Sequence, residues 1–291
     1  MHRRDALGWG RPWHRVRNRK KARKMKEYQK VLCIAGSECL GSSGVQADLK
    51  AISACGAFGA GALTCLVNMS TTKVKDIMPL PEDFVTSSIR SFLDDVKADA
   101  IKTGMLFTKP LIDRIGSTLL DYPEIPKVVD PVMVAATGDR LIELEAIEAY
   151  KESMFPVATL ITPNFKEACL LLGHEFGKED LQADMDYLCR WGNAAIVKSF
   201  HQDGKFMDVF SSGQGQPLRL FEKRFIETKN VNGTGCTFSS SIAAFIARGF
   251  ALEEAVAHAE DYIGKAIEEG AKYHFGAGNG PVCHFYNEMP L

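Results

Sequence analysis

The sequence predicts an α/β protein: a mostly parallel sheet with helices on both faces. Three observations carry that expectation. First, short apolar runs of strand length alternate with amphipathic helical stretches along most of the 291 residues. This is the pattern of parallel strands joined by helical crossovers. Second, polar residues recur near the ends of those runs, at Asp48, Asp130, Asn164, Glu167, Lys198 and Cys236. In an open α/β sheet such ends converge on one crevice. Third, the stretch Thr228–Arg248, TKNVNGTGCTFSSSIAAFIAR, turns abruptly from polar and glycine-rich to apolar and helical. A helix start leaves backbone N–H groups without partners and carries partial positive charge. Glycines let a ligand approach that backbone closely, so Gly233, Thr234 and Gly235 read as an anion site. Cys236 falls where the helix begins, a position expected to favour its thiolate.

The elements follow in order. Lys30–Ala35 is a buried strand ending in Gly36, followed by a flexible glycine- and serine-rich turn to Gly44 and a helix with Val45, Leu49 and Ile52 on one face. Neither a dinucleotide fingerprint nor a Walker lysine pattern is present there. Gly61–Asn68 reads as a strand, Pro81–Lys97 as a helix and Ala98–Thr103 as a strand. Thr108 caps a helix opening at Lys109-Pro110. Val128–Val134 is a strand carrying Asp130, and Ala135–Arg140 is a polar loop suited to a mobile flap. Thr159–Thr162 is a strand running into Asn164, with Glu167 three residues on, the spacing of a capping box. Ala194–Lys198 is a strand ending in lysine. Phe206–Ser211 and Leu218–Phe225 alternate as a hairpin, and Leu252–Glu269 is a long amphipathic helix.

Composition excludes several classes. No apolar run is long enough to span a bilayer. Eight cysteines occur without a single CxxC pair, so buried, reduced thiols of a cytoplasmic protein are expected rather than zinc or disulfides. Residues 1–30 hold twelve Lys/Arg against Asp5 and Glu27. That basic head has no secretory pattern. Residues 1–24 read as a disordered extension, with Met25 a natural start for a single domain over 25–291. A nucleic-acid-binding tail has only this head in its favour.

Seven segments in sequence order resemble the ribokinase-like vitamin kinases, in particular the hydroxymethylpyrimidine (phosphate) kinase branch with its pyridoxal kinase relatives. They are Ala35-Gly36-Ser37, Gly44–Lys50 (GVQADLK), Lys102–Leu106 (KTGML), Asp130–Met133 (DPVM), Ile161–Asn164 with Glu167, Asn232–Thr237 (NGTGCT) and Gly280-Pro281-Val282. The resemblance implies a three-layer α/β/α fold that moves the γ-phosphoryl of ATP to a ring CH2OH, with Mg2+, in a homodimer, and no nucleic-acid or membrane partner. It implies that the Gly233, Thr234, Gly235 and Cys236 backbone forms an anion hole, and that Cys236 activates or orients the substrate hydroxyl. Asn164 and Glu167 would organise Mg2+ and phosphate waters. Asp130 and Lys198 would lie beside the phosphates, Asn232 on the nucleotide side, and Glu167 and Asp130 nearest the metal. The ring pocket would fall on Ser43, Asp48, Val67, Met69, Met105 and Val132.

The chain departs from that pattern at four places. Met69 stands where pyrimidine-specific relatives usually carry glutamine, whose amide reads the ring's polar edge. Ala135 stands where pyridoxal-using relatives often carry a second cysteine. Ser199-Phe200 replaces two glycines, and Asn232 a common histidine. Met69 favours pyridoxal, pyridoxine or pyridoxamine as substrate, with hydroxymethylpyrimidine of thiamine synthesis as the alternative. A non-catalytic ligand sensor is disfavoured by the intact Asn164, Glu167 and Gly233–Cys236.

Overall fold

The computed structural model describes residues 26–133 and 144–288. The basic head and the Ala135–Arg140 flap therefore lie outside the described residues. Nine strands form one sheet: β1 (Lys30–Glu38), β2 (Phe58–Ser70), β3 (Lys73–Pro79), β4 (Ala100–Thr103), β5 (Lys127–Val129), β6 (Leu160–Ile161), β7 (Ala194–Gln202), β8 (Lys205–Ser211) and β9 (Arg219–Lys223). Their order is β3-β2-β1-β4-β5-β6-β7-β8-β9. From β2 to β7 all neighbours are parallel, whereas β3, β8 and β9 add antiparallel edges. The order reverses at β1, which pairs with β2 on one side and β4 on the other. Such a switch opens a crevice beyond the carboxyl ends of the strands.

Alternation along β1 sends its side chains to two cores. Leu32 and Ile34 pack under α2 (Glu82–Asp95), α3 (Lys109–Leu119), α4 (Leu144–Ala149), α5 (Phe165–Leu172) and α6 (Leu181–Leu188). Val31 and Cys33 pack under α1 (Gly44–Ala54), α7 (Thr234–Ala247) and α8 (Leu252–Gly270). The result is the three-layer α/β/α arrangement. Serines 239–241 with Ala243 and Ala244 are all buried in α7 and keep that helix thin against the sheet.

Several expectations shift. β1 runs through Gly36 to Glu38, so part of the expected flexible turn is strand. β3 was not anticipated, because Lys73, Lys75 and Asp76 break its apolar alternation on an exposed edge. The short helices α4 and α6 were also unforeseen. β7 continues past Lys198 across Ser199, whose φ of 60° marks an irregular step in the pairing with β8. Both local caps appear as expected. Thr108 accepts from the Leu111 N–H at 3.4 Å, and Asn164 with Glu167 forms a reciprocal capping box. All eight cysteines are free.

Candidate active site

The glycine-rich turn before α7 is held by close packing. Gly233 adopts φ 78°, and a Cβ there would lie 1.8 Å from the Ser42 carbonyl oxygen. Only glycine fits. The Thr234 and Thr237 N–H groups bond to the Val231 and Gly233 carbonyls, while those of Gly235 and Cys236 have no backbone acceptor among the described residues. These two amides at a helix N-terminus suit a phosphoryl oxygen. Asn232 donates from its side-chain amide to Ser42 Oγ at 2.7 Å. It ties the turn to the loop after β1.

Beside Gly235 sits an ion pair. Lys198, ending the regular part of β7, meets Asp130, just beyond β5, at 2.7 Å. An added Cβ at Gly235 would come 3.3 Å from the Lys198 ammonium. Asp130 also accepts from Thr162 at 3.0 Å and from Ser239 at 3.2 Å. Burial alone would raise the Asp130 carboxyl, but Lys198, Lys102 and these hydrogen bonds hold it below its ordinary value.

Glu167 lies close by on α5. Its two oxygens accept from the N–H groups of Met133 at 3.0 Å and Asn164 at 2.9 Å. Burial pushes its carboxyl up to about 7, with Asp130 adding to the shift and Lys198 opposing it. Asp130 and Glu167 are each 2% exposed. Among the described residues no group of three His, Cys, Asp or Glu side chains could hold a metal ion directly. Both carboxylates of the expected metal residues, Asp130 and Glu167, also hydrogen-bond within the protein. Once Glu167 ionises, near pH 7, it and Asp130 share the Lys198 ammonium.

Cys236 overturns an expectation as well. Its thiol is pushed up to about 11, first by burial and further by Asp48 and Asp130, although Lys102 and the Gly44 N–H oppose this. At neutral pH it is a thiol. The helix dipole loses to desolvation and two carboxylates. Beneath it, Asp48 and Lys102 form a second pair at 2.7 Å, both fully buried. Ser240 adds a hydrogen bond to Asp48 at 2.7 Å. Burial alone would lower the Lys102 ammonium, but Asp48 with Cys236 and Asp130 raises it above the ordinary lysine value. Asp48 Oδ1 is thus taken up by this inner pair, while its Oδ2 is buried with no hydrogen-bond partner among the described residues.

Of the other residues expected around the ring, Val67 and Met69 lie on β2, and Ser43, Met105 and Val132 lie in the segments after β1, β4 and β5. Ser43 caps the approach to α1, and Val67 pairs with Glu38 at the end of β1. The Met69 carbonyl accepts from the Cys39 thiol at 3.2 Å. The Met105 carbonyl accepts from Thr64 at 2.7 Å, and its methyl group lies beside Gly36. Val132 follows Asp130, with its N–H on the Asp130 carbonyl. Sequence reasoning missed Lys102, Thr162, Ser239, Ser240 and Glu38. A lysine inside an apolar strand, as in Ala-Ile-Lys-Thr, could have flagged Lys102, because lysine is almost never fully buried unless paired. A cavity of about 310 Å³ lined by Cys55, Arg248, His258, Tyr262 and Tyr286 lies elsewhere and holds none of these groups.

Fold and site together define a phosphotransferase of the ribokinase-like class, acting on an alcohol group. A family model described as phosphomethylpyrimidine kinase matches residues 38–283, and the chain belongs to that family. It is 37% identical over 260 residues to a hydroxymethylpyrimidine/phosphomethylpyrimidine kinase of Rhizobium meliloti, covering 88% of this chain and 97% of that one. It is 38% identical over 257 residues to the thiamine biosynthesis bifunctional protein of Geobacter sulfurreducens, covering 87% of this chain but only 52% of that longer protein. Among solved structures, the Bacillus subtilis pyridoxal kinase in its ADP complex superposes with a TM-score of 0.82 at 30% identity, over 91% of this chain and all of that one. The Staphylococcus aureus pyridoxal kinase bound to pyridoxal gives 0.80 at 32%, over 90% and 96%.

Proposed function

We propose that this chain transfers the γ-phosphoryl group of ATP to the ring hydroxymethyl group of pyridoxal, pyridoxine or pyridoxamine. The observation that carries the choice of ring is Met69. A thioether makes no hydrogen bond to a pyrimidine's polar edge, and discrimination built on such bonds is large. The second reading, hydroxymethylpyrimidine as substrate, is favoured by the names of the sequence relatives from Rhizobium meliloti and Geobacter sulfurreducens.

In this reading the Gly235 and Cys236 amides receive charge developing on the transferring phosphoryl oxygens. Phosphoryl transfer is mostly positioning and charge stabilisation. Lys198, held by Asp130 against Gly235, supplies positive charge beside them. The neutral Cys236 thiol orients the alcohol by hydrogen bonding and does not act as a strong base. Mg2+, when bound, would neutralise phosphate charge, and Glu167 would face it through water, since Mg2+ commonly keeps several waters. A homodimer is part of the same proposal.

The test is a side-by-side kinase assay with ATP and each ring alcohol. Pyridoxal-type substrates are expected to give the higher kcat/KM. Rapid phosphorylation of hydroxymethylpyrimidine with none of pyridoxal would reverse the assignment.

A further inference from the structure

Glu38 closes β1 and has no part in the chemistry described above. It is 4% exposed. Its carboxylate accepts from four consecutive backbone N–H groups, those of Leu40, Gly41 (3.1 Å), Ser42 (2.5 Å) and Ser43 (2.6 Å). The Ser42 and Ser43 hydroxyls add bonds of 3.1 and 3.3 Å. Successive N–H groups turned inward make an anion-binding concavity. Here the anion comes from the chain itself. The loop wrapped around it is the surface on which the phosphate-binding turn rests. The Ser42 carbonyl presses on Gly233, and Ser42 Oγ accepts from Asn232.

We propose that Glu38 is a positioning residue for phosphoryl transfer. As an internal anion it fixes the Leu40–Ser43 loop, and through Ser42, which meets Gly233 and Asn232, it sets where the Gly235 and Cys236 amides stand. This rests on the kinase reading above. Without the carboxylate, four N–H dipoles converge with no acceptor, and the loop opens to find water. The turn then loses its support. Interactions made only in the transition state suffer most, so kcat falls while KM for ATP and the ring alcohol stays near wild type.

Glu38→Ala removes atoms equivalent to one acetate ion. Its kcat is expected to drop roughly tenfold, less than the loss of a whole anion-hole donor. Millimolar acetate should restore most of that loss and raise the thermal midpoint, while neutral acetamide does neither. Should Glu38→Ala not fold, Glu38→Gln keeps the size and replaces one acceptor oxygen with an NH2 donor. That variant should stay folded, lose kcat and ignore acetate. A folded variant of either kind with wild-type kcat overturns the proposal. So does an acetate-driven thermal gain without recovered turnover, which would reduce Glu38 to a loop anchor. A wild-type protein that phosphorylates no ring alcohol is a different result: it fails the kinase reading, and the acetate-specific thermal response of Glu38→Ala still reports on the concavity.

Discussion

Two lysine–aspartate pairs of equal length lie close together in different surroundings. Lys102–Asp48 and Lys198–Asp130 both measure 2.7 Å. The first is wholly sealed, with Ser240 as an added partner. The second retains 10% and 3% side-chain exposure and abuts Gly235, where the absence of a Cβ opens the ammonium toward the turn. Chemistry alone does not separate a structural ion pair from a functional one. The neighbours differ: Ser240 and the Cys236 thiol in one case, Glu167 and the turn at Gly235 in the other.

The sharpest way to break the comparison is to remove each lysine. Lys102→Met leaves Asp48 buried without a counter-charge, and the loss of stability should be about 3–5 kcal/mol. Urea unfolding measures it, and a loss below about 1 kcal/mol would mean that Asp48 simply takes up a proton. Lys198→Met should act mainly on turnover, lowering kcat roughly a hundredfold with the fold retained, in the range of one lost charge-stabilising group. Equal effects of both variants on kcat, after correction for folded fraction, would erase the distinction.

A smaller effect is expected at the thiol lying between the pairs. With its pKa at about 11, Cys236 should resist iodoacetamide at neutral pH, with alkylation accelerating only toward pH 11. Cys236→Ala should lose most turnover, and Cys236→Ser should keep more of it, because a hydroxyl can also orient the alcohol. Fast alkylation at pH 7 would restore the thiolate mechanism. Beside Lys198, the carboxyl of Glu167 ionises near pH 7, so kcat/KM for ATP should rise as pH passes upward through that value and level off above it. For stability the sign is opposite. A carboxyl whose folded pKa is raised above its ordinary 4.5 stabilises the fold while protonated, and that contribution fades between about pH 4.5 and 7. A Glu167→Gln variant with the same pH–rate limb would remove Glu167 as its source. The smallest change is expected at the ring: Met69→Gln should move the pyridoxal-to-pyrimidine kcat/KM ratio toward the pyrimidine, by about 1–3 kcal/mol at most for one altered contact.

Much of the site was legible in the chain because its signals are local. The Asn164–Glu167 capping box needs three residues of spacing and appears as read. The Gly233–Cys236 turn announces itself by the switch from glycine to small apolar residues, and Thr108 by the proline that follows it. What was not legible depends on contacts distant in sequence. Lys102 finds Asp48 across 54 residues, and Lys198 finds Asp130 across 68. Glu38 looked like one polar residue in a loose turn, because a carboxylate collecting its own backbone donors leaves no periodic trace.

By itself the sequence determined most strands and helices in order, though not β3, α4 or α6, together with the caps and the glycine turn, since propensity and capping act within a few residues. The tertiary structure alone decided which charges pair, that Asp48 is sealed against Lys102, and that desolvation with two nearby carboxylates pushes the Cys236 thiol up. Ionisation follows burial and the nearest charges, and both exist only once distant segments have been packed together.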